Sequence, residues 1–567
     1  MPNTITVADL MSRGVQTVAA DATLASIIRR LRLIGHEGYP VVEDGHVIGL
    51  LTRRDADRAL EHDLGALRVR DVMAAGAITL RPTDSVALLE RRIVESGWGQ
   101  IPVVDEHDQL IGIVTRTDLI KHWAQIHPDQ SQNEAVHIGD AQIAAVLGQP
   151  MVDLIGRVAR QAQAQVINLY MVGGVVRDLL LKRGNDDIDF VVEGDAIRFA
   201  EGLQATYGGR VSHYRPFGTA TWKLEQVSFL VDGLPDHVDF ASARYEFYEQ
   251  PTALPSVYDS SIKLDLRRRD FTINALAVQL SPADVSGRVL DFYGGLADLR
   301  AGLIRVLHSL SFVDDPTRIL RAVRFERRLG FQIEPRTAQL IETALPMLRR
   351  ITGERIRNEL TLLLGEADSA GSFLLLQERG ILKAIHPAFV VPSDLADRFE
   401  RSNGSFWFTP DPVDLKWCLL LADIPPDDLA ALSTRLLFSK ALSEAVSGTA
   451  RLVQNLDGLS QPDLKPSRIV EKLDEINDLT LLAAWIVVEN LYTRQRIWQY
   501  ANEWRSVRPT ATGHTLRARG LKPGPCFAII LSRLRAARLD GDVHSDAEED
   551  RLLETLVQGG ICDDGAE

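Results

Sequence analysis

Residues 170–193 constrain the fold of this 567-residue chain more than any other stretch. An apolar start leads into Gly173-Gly174, a helical run, a polar turn and a second apolar segment that carries Asp187 and Asp189. Because side chains alternate faces along a strand, these two carboxylates should share one face while their apolar neighbours enter a core. The order predicts strand, helix and strand packed as one α/β unit.

The same stretch carries groups suited to phosphate and to a divalent cation. The two glycines permit close backbone approach to phosphate oxygens, the next helix offers free N–H groups, and Arg177 adds further donors. Asp187 and Asp189 on one face would repel each other, and Mg²⁺, which prefers hard oxygen ligands, would resolve that conflict. Singly, such a glycine pair is usually a tight turn and Asp-x-Asp a solvated strand edge. Together they favour metal-assisted nucleotidyl transfer.

The run GGVVRD at 173–178, followed by DIDFVVEGD at 187–195, resembles the catalytic head of the class II tRNA nucleotidyltransferase and bacterial poly(A) polymerase family, within the polymerase-β-like superfamily. The resemblance covers residues 150–360 and extends more weakly over the helical remainder. It implies a multidomain protein of α/β and all-α parts. These are a nucleotidyltransferase head with a mixed sheet at 141–300, a neck with a nucleotide-selecting helix at 301–365, and an RNA-binding helical body and tail at 366–567.

The resemblance also implies a third metal carboxylate, five residues before an arginine on a strand. Asp239 and Arg244 fit this spacing, and a strand aspartate paired with a neighbouring arginine is the alternative. We therefore expect a site for two Mg²⁺ ions whose metal-binding and catalytic residues are Asp187, Asp189 and Asp239.

Residues 267–277, RRRDFTINALA, match a motif of this family over its whole length. The charged cluster gives way abruptly to an apolar run that we expect to be helical, so the basic side chains lie at the edge of an element. A basic surface run without a ligand is the alternative. By resemblance, the triphosphate is bound by Gly173, Gly174, Arg177 and Arg269, and the pocket is ordered by Asp270 and Asn274.

A third motif, DDPTRILRAVRF at 314–325, begins with acidic residues and Pro316, which predict a helix start. At about 100° per residue its apolar residues form one face and its charged residues the other. An amphipathic surface helix is the alternative to a ligand site. By resemblance, the base of CTP or ATP is selected by Asp315, Arg318, Arg321 and Arg324, through acceptors and donors that match a base edge. The family usually begins this motif Glu-Asp, whereas this sequence has Asp314-Asp315, so the choice between C and A stays open.

Residues 1–125 contain an internal repeat. YPVV at 39–42 recurs as IPVV at 101–104, and GLLTRRD at 49–55 recurs as GIVTRTD at 112–118. This resembles a tandem CBS pair, at about 7–62 and 69–125, which implies an adenosine nucleotide bound by Thr52, Asp55, Thr115 and Asp118. The alternatives are that these residues only cap helices and that the pair is a dimerising element, with a homodimer as the result. The polar, aperiodic residues 126–140 are expected to be a linker.

Composition limits the class of protein without deciding its partner. A formal net charge of −14 argues against a nucleic-acid binder only if the whole chain is averaged, because RNA contacts need a local basic patch. No apolar run has the length of a membrane span, the start shows no signal-peptide pattern, and three scattered cysteines indicate neither a metal site nor a disulfide framework. These features indicate a cytoplasmic enzyme.

The leading hypothesis is a Mg²⁺-dependent, template-independent nucleotidyltransferase that uses ATP, with CTP as an open second substrate, on the 3′ end of tRNA. Three products stay open: the whole CCA, the terminal A alone, or a poly(A) tail. A CBS pair joined to this head resembles the architecture of some A-adding enzymes, although many of those carry a further phosphoesterase-like domain that is not seen in this sequence. The alternative from another class is a catalytically silent, adenylate-sensing regulatory protein, which predicts a broken metal or triphosphate site.

Overall fold

The computed structural model describes residues 5–558 except 35–37, 53–54, 57–58, 60–64, 77, 97, 117, 120–121, 124–135, 248–255, 260 and 462. The chain separates into two compact units, Met1–Ile351 and Thr352–Glu567. Most of the expected linker 126–140 and Cys562 lie outside the described residues. The five-part division of the chain stays a prediction.

The first part of unit 1 contains a four-stranded sheet and a two-stranded sheet. One has the order β1-β2-β3-β4 and the other pairs β5 with β6. The two PVV runs lie in β2 and β5, and the threonines of TRRD and TRTD end β3 and β6, so the sequence repeat is a structural repeat. The strands are β1 (Val18–Ala19), β2 (Gly38–Glu43), β3 (His46–Thr52), β4 (Ala74–Ala75), β5 (Gln100–Val104) and β6 (Leu110–Thr115). Helices here include Val7–Leu10, Leu24–Ile34, Val69–Val72 and Val86–Ser96.

The centre of unit 1 is a seven-stranded mixed sheet with the order β15-β14-β7-β8-β11-β10-β9. Its strands β8 and β11 are parallel, whereas the other neighbours are antiparallel. The register sets Asp189 opposite both Asp239 and Val172, which brings two predicted metal ligands side by side. The strands are β7 (Asn168–Val172), β8 (Asp189–Glu193), β9 (Gly208–Tyr214), β10 (Thr219–Val227), β11 (His237–Ser242), β14 (Leu276–Ser281) and β15 (Val289–Asp291). The mixed-sheet head is confirmed.

Further short strands and helices complete unit 1. The strand pairs are β12 (Arg244–Phe247) with β13 (Ser256–Asp259) and β16 (Leu303–Ile304) with β17 (Gln332–Ile333). The helices are Asp140–Leu147, Gln149–Ala164, Gly174–Leu180, Ala196–Tyr207, Ile262–Arg267, Gly295–Ala301, Ser311–Asp314, Thr317–Leu329 and Pro335–Ala344.

The structure corrects three local predictions. The apolar run after Asp270 is a 3-10 turn, Thr272–Asn274, followed by β14 rather than a helix. Strand β14 lies between two other strands and is buried on both faces, so it lacks the alternation that distinguishes a strand from a helix. Strand β8 begins at Asp189, so Asp187 precedes it. The loop expected over 245–262 contains the paired strands β12 and β13.

The regular elements in the described part of unit 2 are helices, which confirms the all-α body. They are Gly353–Gly365, Ser369–Glu378, Ile381–Ile385, Leu395–Arg401, Pro412–Leu421, Pro426–Leu436, Lys440–Gln454, Pro466–Leu473, Asp478–Val487, Leu491–Asn502, Gly513–Ala518, Pro525–Leu539 and Asp546–Gln558. No helix in the described part of the chain combines the length and apolar character needed to cross a membrane. Cys418 is buried and free.

Candidate active site

Three carboxylates converge where β8 and β11 begin. Asp187, Asp189 and Asp239 each offer one oxygen, and these oxygens lie within 4.8 Å of one another. The Thr221 hydroxyl donates to Asp239 Oδ1 at 2.5 Å and holds that carboxylate, while the Asp187 backbone N–H donates to Asn185 Oδ1 at 2.9 Å and fixes the chain that carries the second carboxylate. An all-oxygen, triply acidic set of this kind fits Mg²⁺.

The electrostatics of Asp189 support this fit. The pKa of Asp189 is raised to about 6, chiefly by burial, with Asp187 and Asp239 adding to the rise and Arg269 opposing it. A half-buried carboxylate among two others is poorly stabilised as an anion without positive charge beside it. A divalent cation would supply that charge.

A pocket of about 400 Å³ is lined by both carboxylates and basic side chains. Its lining includes Asp189, Asp239, Arg268 and Arg269. Asp265, which is fully buried, accepts from Arg268 Nε at 2.9 Å and lies 3.4 Å from Arg269 Nη2, so one carboxylate orients both arginines. The Arg269 Nε is buried without a hydrogen-bond partner among the described residues. The pocket therefore presents both oxygen ligands and guanidinium donors.

Gly173 lets Arg269 approach the backbone closely. Its φ is +76°, a region that other residues seldom adopt, and a Cβ placed there would lie 2.8 Å from Arg269 Nη1. The next residue, Gly174, begins the helix Gly174–Leu180, as the sequence predicts. The structure thus brings together Gly173, Arg269 and the predicted metal carboxylates.

The structure places Arg177 differently from the other predicted triphosphate ligands. Its side chain is buried, with Nε and Nη2 donating to Asp178 at 2.8 Å each and Nη1 donating to Asn274 Oδ1 at 2.7 Å. These contacts direct the guanidinium into the protein, where it supports the pocket. Contact between Arg177 and a triphosphate stays a prediction.

Asp270 and Asn274 are buried next to this arginine. Asn274 Nδ2 donates to Asp270 Oδ1 at 2.9 Å, and Asp270 Oδ2 accepts from Arg321 Nε at 2.8 Å and Nη2 at 2.6 Å. Burial alone would raise the pKa of Asp270, but Arg321, Asn274 and Arg318 outweigh it and lower the pKa to about 2. The carboxylate is therefore an anion at neutral pH, and its oxygens Oδ1 and Oδ2 accept hydrogen bonds from Asn274 and Arg321, respectively.

These contacts form one continuous network. Asn185 Nδ2 donates to Asp178 Oδ2 at 2.7 Å, while Asn185 Oδ1 holds the backbone of Asp187. The hydrogen-bonded order is Arg321, Asp270, Asn274, Arg177, Asp178, Asn185 and Asp187. The network joins the helix Thr317–Leu329 to the loop that carries Asp187, a predicted metal ligand.

The four predicted base-selecting residues lie on or just before that helix. Arg318 Nη1 donates to the Ser311 hydroxyl at 2.7 Å and Nη2 to the Arg268 carbonyl at 2.6 Å. Asp315 Oδ1 accepts from the Thr317 N–H at 3.0 Å and hydroxyl at 2.6 Å, and Arg324 lies against the Phe325 ring. Because Arg318 and Arg324 are buried, the helix does not match the alternative of a solvated amphipathic surface.

The CBS candidates pair with each other within each repeat. Thr52 Oγ1 donates to Asp55 Oδ2 at 2.5 Å, and Thr115 Oγ1 donates to Asp118 Oδ2 at 2.7 Å. These contacts match the helix-capping alternative. Nucleotide binding by the four residues stays a prediction.

Sequence reasoning missed four supporting residues: Asp178, Asn185, Asp265 and Ser311. The spacing of Asp265 to Arg268 and Arg269 is a readable signal, since residues three and four apart are neighbours on a helix. Asp178 and Asn185 lie inside the motif stretch, but their partners are distant in sequence. Nothing local marks Ser311.

Family models match most of the regions described above. The poly A polymerase head domain matches residues 169–305, and a probable RNA and SrmB-binding site of polymerase A matches residues 330–391. The CBS domain matches residues 7–62 and 69–125. These matches agree with the resemblance seen in the sequence.

Individual relatives are named as enzymes of the same family. An A-adding tRNA nucleotidyltransferase of Geobacter sulfurreducens is 34% identical over 97% of this chain, which spans 64% of that enzyme's length. One from Halalkalibacterium halodurans is 33% identical over 69% of this chain and 89% of the relative. The solved Thermotoga maritima CCA-adding enzyme complexed with tRNA has a TM-score of 0.59 and 27% identity, covering 75% of this chain and 100% of that one.

Proposed function

Because the chain belongs to the tRNA nucleotidyltransferase and poly(A) polymerase family, we propose that it transfers AMP from ATP to the 3′ end of tRNA. The observation that carries the proposal is the carboxylate triad beside a pocket edged by Arg268 and Arg269. Two-metal nucleotidyl transfer needs oxygen ligands on one side of the α-phosphate and cationic donors for the leaving phosphates.

In the proposed reaction the tRNA 3′ oxygen forms a bond to the α-phosphorus of ATP. The bond between the α-phosphorus and its bridging oxygen breaks, pyrophosphate leaves, and the hydroxyl proton passes to solvent. Asp187, Asp189 and Asp239 would hold two Mg²⁺ ions, which when bound lower the pKa of the 3′ hydroxyl and stabilise the departing pyrophosphate.

The protein's own groups bind and orient the nucleotide. Arg269, kept close to the backbone by Gly173, would donate to the triphosphate. Asp315 and Arg318 would present an acceptor and a donor to the base edge. Asp270 and Arg321 hold the selecting helix against the triphosphate segment.

Among the possible products, addition of the terminal A is favoured by the two relatives at 33% and 34% identity, both named A-adding enzymes. CCA addition and poly(A) synthesis are the alternatives. The complete triad and the pocket arginines argue against the catalytically silent sensor, since that protein predicts a broken site. We propose that this reaction takes place in the cytoplasm, which fits tRNA as the acceptor.

The deciding experiment uses three tRNA transcripts that end before CCA, after C and after CC, each with Mg²⁺ and labelled ATP or CTP. We expect AMP incorporation on the CC-ended transcript alone. Completion of all three transcripts with both nucleotides would show a CCA-adding enzyme. Asp187→Ala/Asp189→Ala is the inactive variant, and Asp186→Ala is the matched control because this exposed neighbour is not part of the triad. Incorporation by the wild type no greater than by the inactive variant would contradict the proposal.

Adenosine-nucleotide binding at the CBS pair, and a homodimer formed through it, are further parts of the proposal. Calorimetry with AMP on the full chain tests the first, since AMP lacks the triphosphate that the head pocket would bind. We expect binding that is lost in Asp55→Ala/Asp118→Ala, and retention in that variant would contradict it. Sedimentation velocity of the full chain tests the second.

A further inference from the structure

A buried ion pair joins the second CBS repeat to the start of the base-selecting region. Arg116, in the TRTD run, pairs with Asp314, which directly precedes the predicted base-selecting Asp315. The side chains are only 11% and 7% exposed. Burying two charges is costly unless they pair, so this contact specifies how the two segments meet.

His308 also lies near Asp314, but it does not neutralise the charge of that carboxylate as Arg116 does. His308 Nε2 lies 3.9 Å from Asp314 Oδ2. Burial, together with Arg318, Arg116 and Arg267, holds the pKa of His308 well below its usual value, so this ring is neutral. Among the described residues, Arg116 is thus the cation that pairs with Asp314.

The apolar residues around the ion pair belong to one core. Val114 and Leu119, on either side of Arg116, pack in the same buried cluster as Leu310 and Val313. A second ion pair, Glu90 with Arg336, joins the same CBS repeat to the helix Pro335–Ala344. Close packing leaves little freedom on either side of the contact, so a change at Arg116 is transmitted to residues 310–314.

Residues 310–314 in turn hold the base-selecting side chains. Ser311 accepts a hydrogen bond from Arg318, and Asp314 is covalently adjacent to Asp315. The same arginine, Arg318, also donates to the Arg268 carbonyl beside the triphosphate segment. A shift of Asp314 therefore moves the acceptor and the donor proposed to contact the base.

We propose that Arg116 is a positioning residue for nucleotide selection, acting through Asp314 on Asp315 and Arg318. The inference rests on the proposed nucleotidyl transfer. It makes the second CBS repeat a structural part of base selection, whether or not the CBS pair binds a nucleotide.

The test compares Arg116→Met, Asp314→Asn, the double variant and Arg81→Met in the full chain. Arg81 is the matched control because it lies in the same repeat and pairs with Asp108 at 2.6 Å within that repeat. For each protein, kcat and KM for ATP and CTP are measured on a CC-ended tRNA, and binding of non-hydrolysable ATP and CTP analogues is measured without tRNA. Thermal melting reports folding.

We expect each single variant to raise the KM for ATP about tenfold and to lower discrimination against CTP by a similar factor, because a displaced positioning contact weakens binding of the correct base. The double variant should be no worse than either single one, since the two residues act as a unit. Arg81→Met should match the wild type. If Arg116→Met shows no melting transition, the test uses Asp314→Asn and Arg116→Lys instead. Arg116→Lys keeps the positive charge, so its KM for ATP should lie closer to the wild-type value than that of Asp314→Asn.

Two results would overturn the inference in different ways. An active wild type with Arg116→Met and Asp314→Asn indistinguishable from it in KM, discrimination and analogue binding would remove the positioning role alone. A wild type that neither incorporates nor binds either nucleotide would remove the proposed function together with the inference.

Discussion

Arg321 and Asp270 are joined by two hydrogen bonds to the same carboxylate oxygen, from Nε at 2.8 Å and from Nη2 at 2.6 Å. The two residues are 51 positions apart in the chain. One belongs to the helix Thr317–Leu329 and the other to the segment that carries Arg269. This pair therefore sets the distance between the parts of the site proposed to bind the base and the triphosphate.

Replacing Asp270 by Asn should destabilise the protein at neutral pH by about 2–3 kcal/mol, since Arg321 loses its charged partner in a largely buried position. The folded-state pKa of about 2 lies below the ordinary value of 3.8, so the carboxylate stabilises the fold above about pH 4. That contribution is lost as the pH falls from about 4 towards 2.

Urea unfolding of the wild type and Asp270→Asn, followed by tryptophan fluorescence at several pH values, tests this effect. The gap between the two unfolding midpoints should narrow below about pH 4. Asp236→Asn is the control, since Asp236 is exposed. A gap that stays constant with pH would show that the charge of Asp270 is not what stabilises the contact.

Replacing Gly173 by Ala should impair both folding and nucleotide binding. The positive φ costs about 1 kcal/mol for alanine, and the added methyl group would displace Arg269. We expect a lower melting temperature and a KM for ATP raised about tenfold, as for loss of one charge-assisted hydrogen bond. Gly184→Ala is the matched control, because a Cβ there meets no atom within 4 Å. If Gly173→Ala and Gly184→Ala changed the melting temperature and the KM for ATP equally, the close approach of Arg269 to Gly173 would not explain the effect.

Replacing Thr221 by Val should weaken divalent metal binding without removing a ligand. The Thr221 hydroxyl donates to Asp239, and loss of a hydrogen bond to a ligating carboxylate typically costs about tenfold in metal affinity. Mn²⁺ binding followed by electron paramagnetic resonance measures this change. Thr206→Val, on an exposed helix face, should bind Mn²⁺ as the wild type does. Unchanged affinity in Thr221→Val would mean that Asp239 does not ligate the metal.

Replacing Asn185 by Ala should slow the reaction more than it weakens ATP binding. Asn185 holds the Asp187 backbone at one end of the hydrogen-bond network, so its loss frees a proposed metal ligand. We expect kcat to fall about tenfold with KM for ATP within about twofold of the wild type. Asn168→Ala is the control, since Asn168 is exposed and pairs with Glu193 at the opposite end of β7 and β8. A change confined to KM would indicate a different role for Asn185.

Apart from Asp239, which only the family resemblance supplied, the sequence by itself determined the family, the class of fold and the carboxylates Asp187 and Asp189 of the triad. These were readable because GGVVRD, the Asp-x-Asp run and RRDFTINAL are each continuous in the chain, and because alternation along a strand places Ile188 and Phe190 in the core. Local pattern failed at β14, where a short strand buried on both faces has no alternation to read.

Only the tertiary structure decided which partners complete the site. Arg177 donates to Asn274, 97 positions away, and Arg116 reaches Asp314 from a different domain-sized repeat. Long flexible side chains take their direction from what packs around them, and that packing joins segments whose spacing in the sequence carries no signal. Residue types were therefore predictable, whereas the partners of Arg177, Arg116 and Ser311 depended on the folded arrangement.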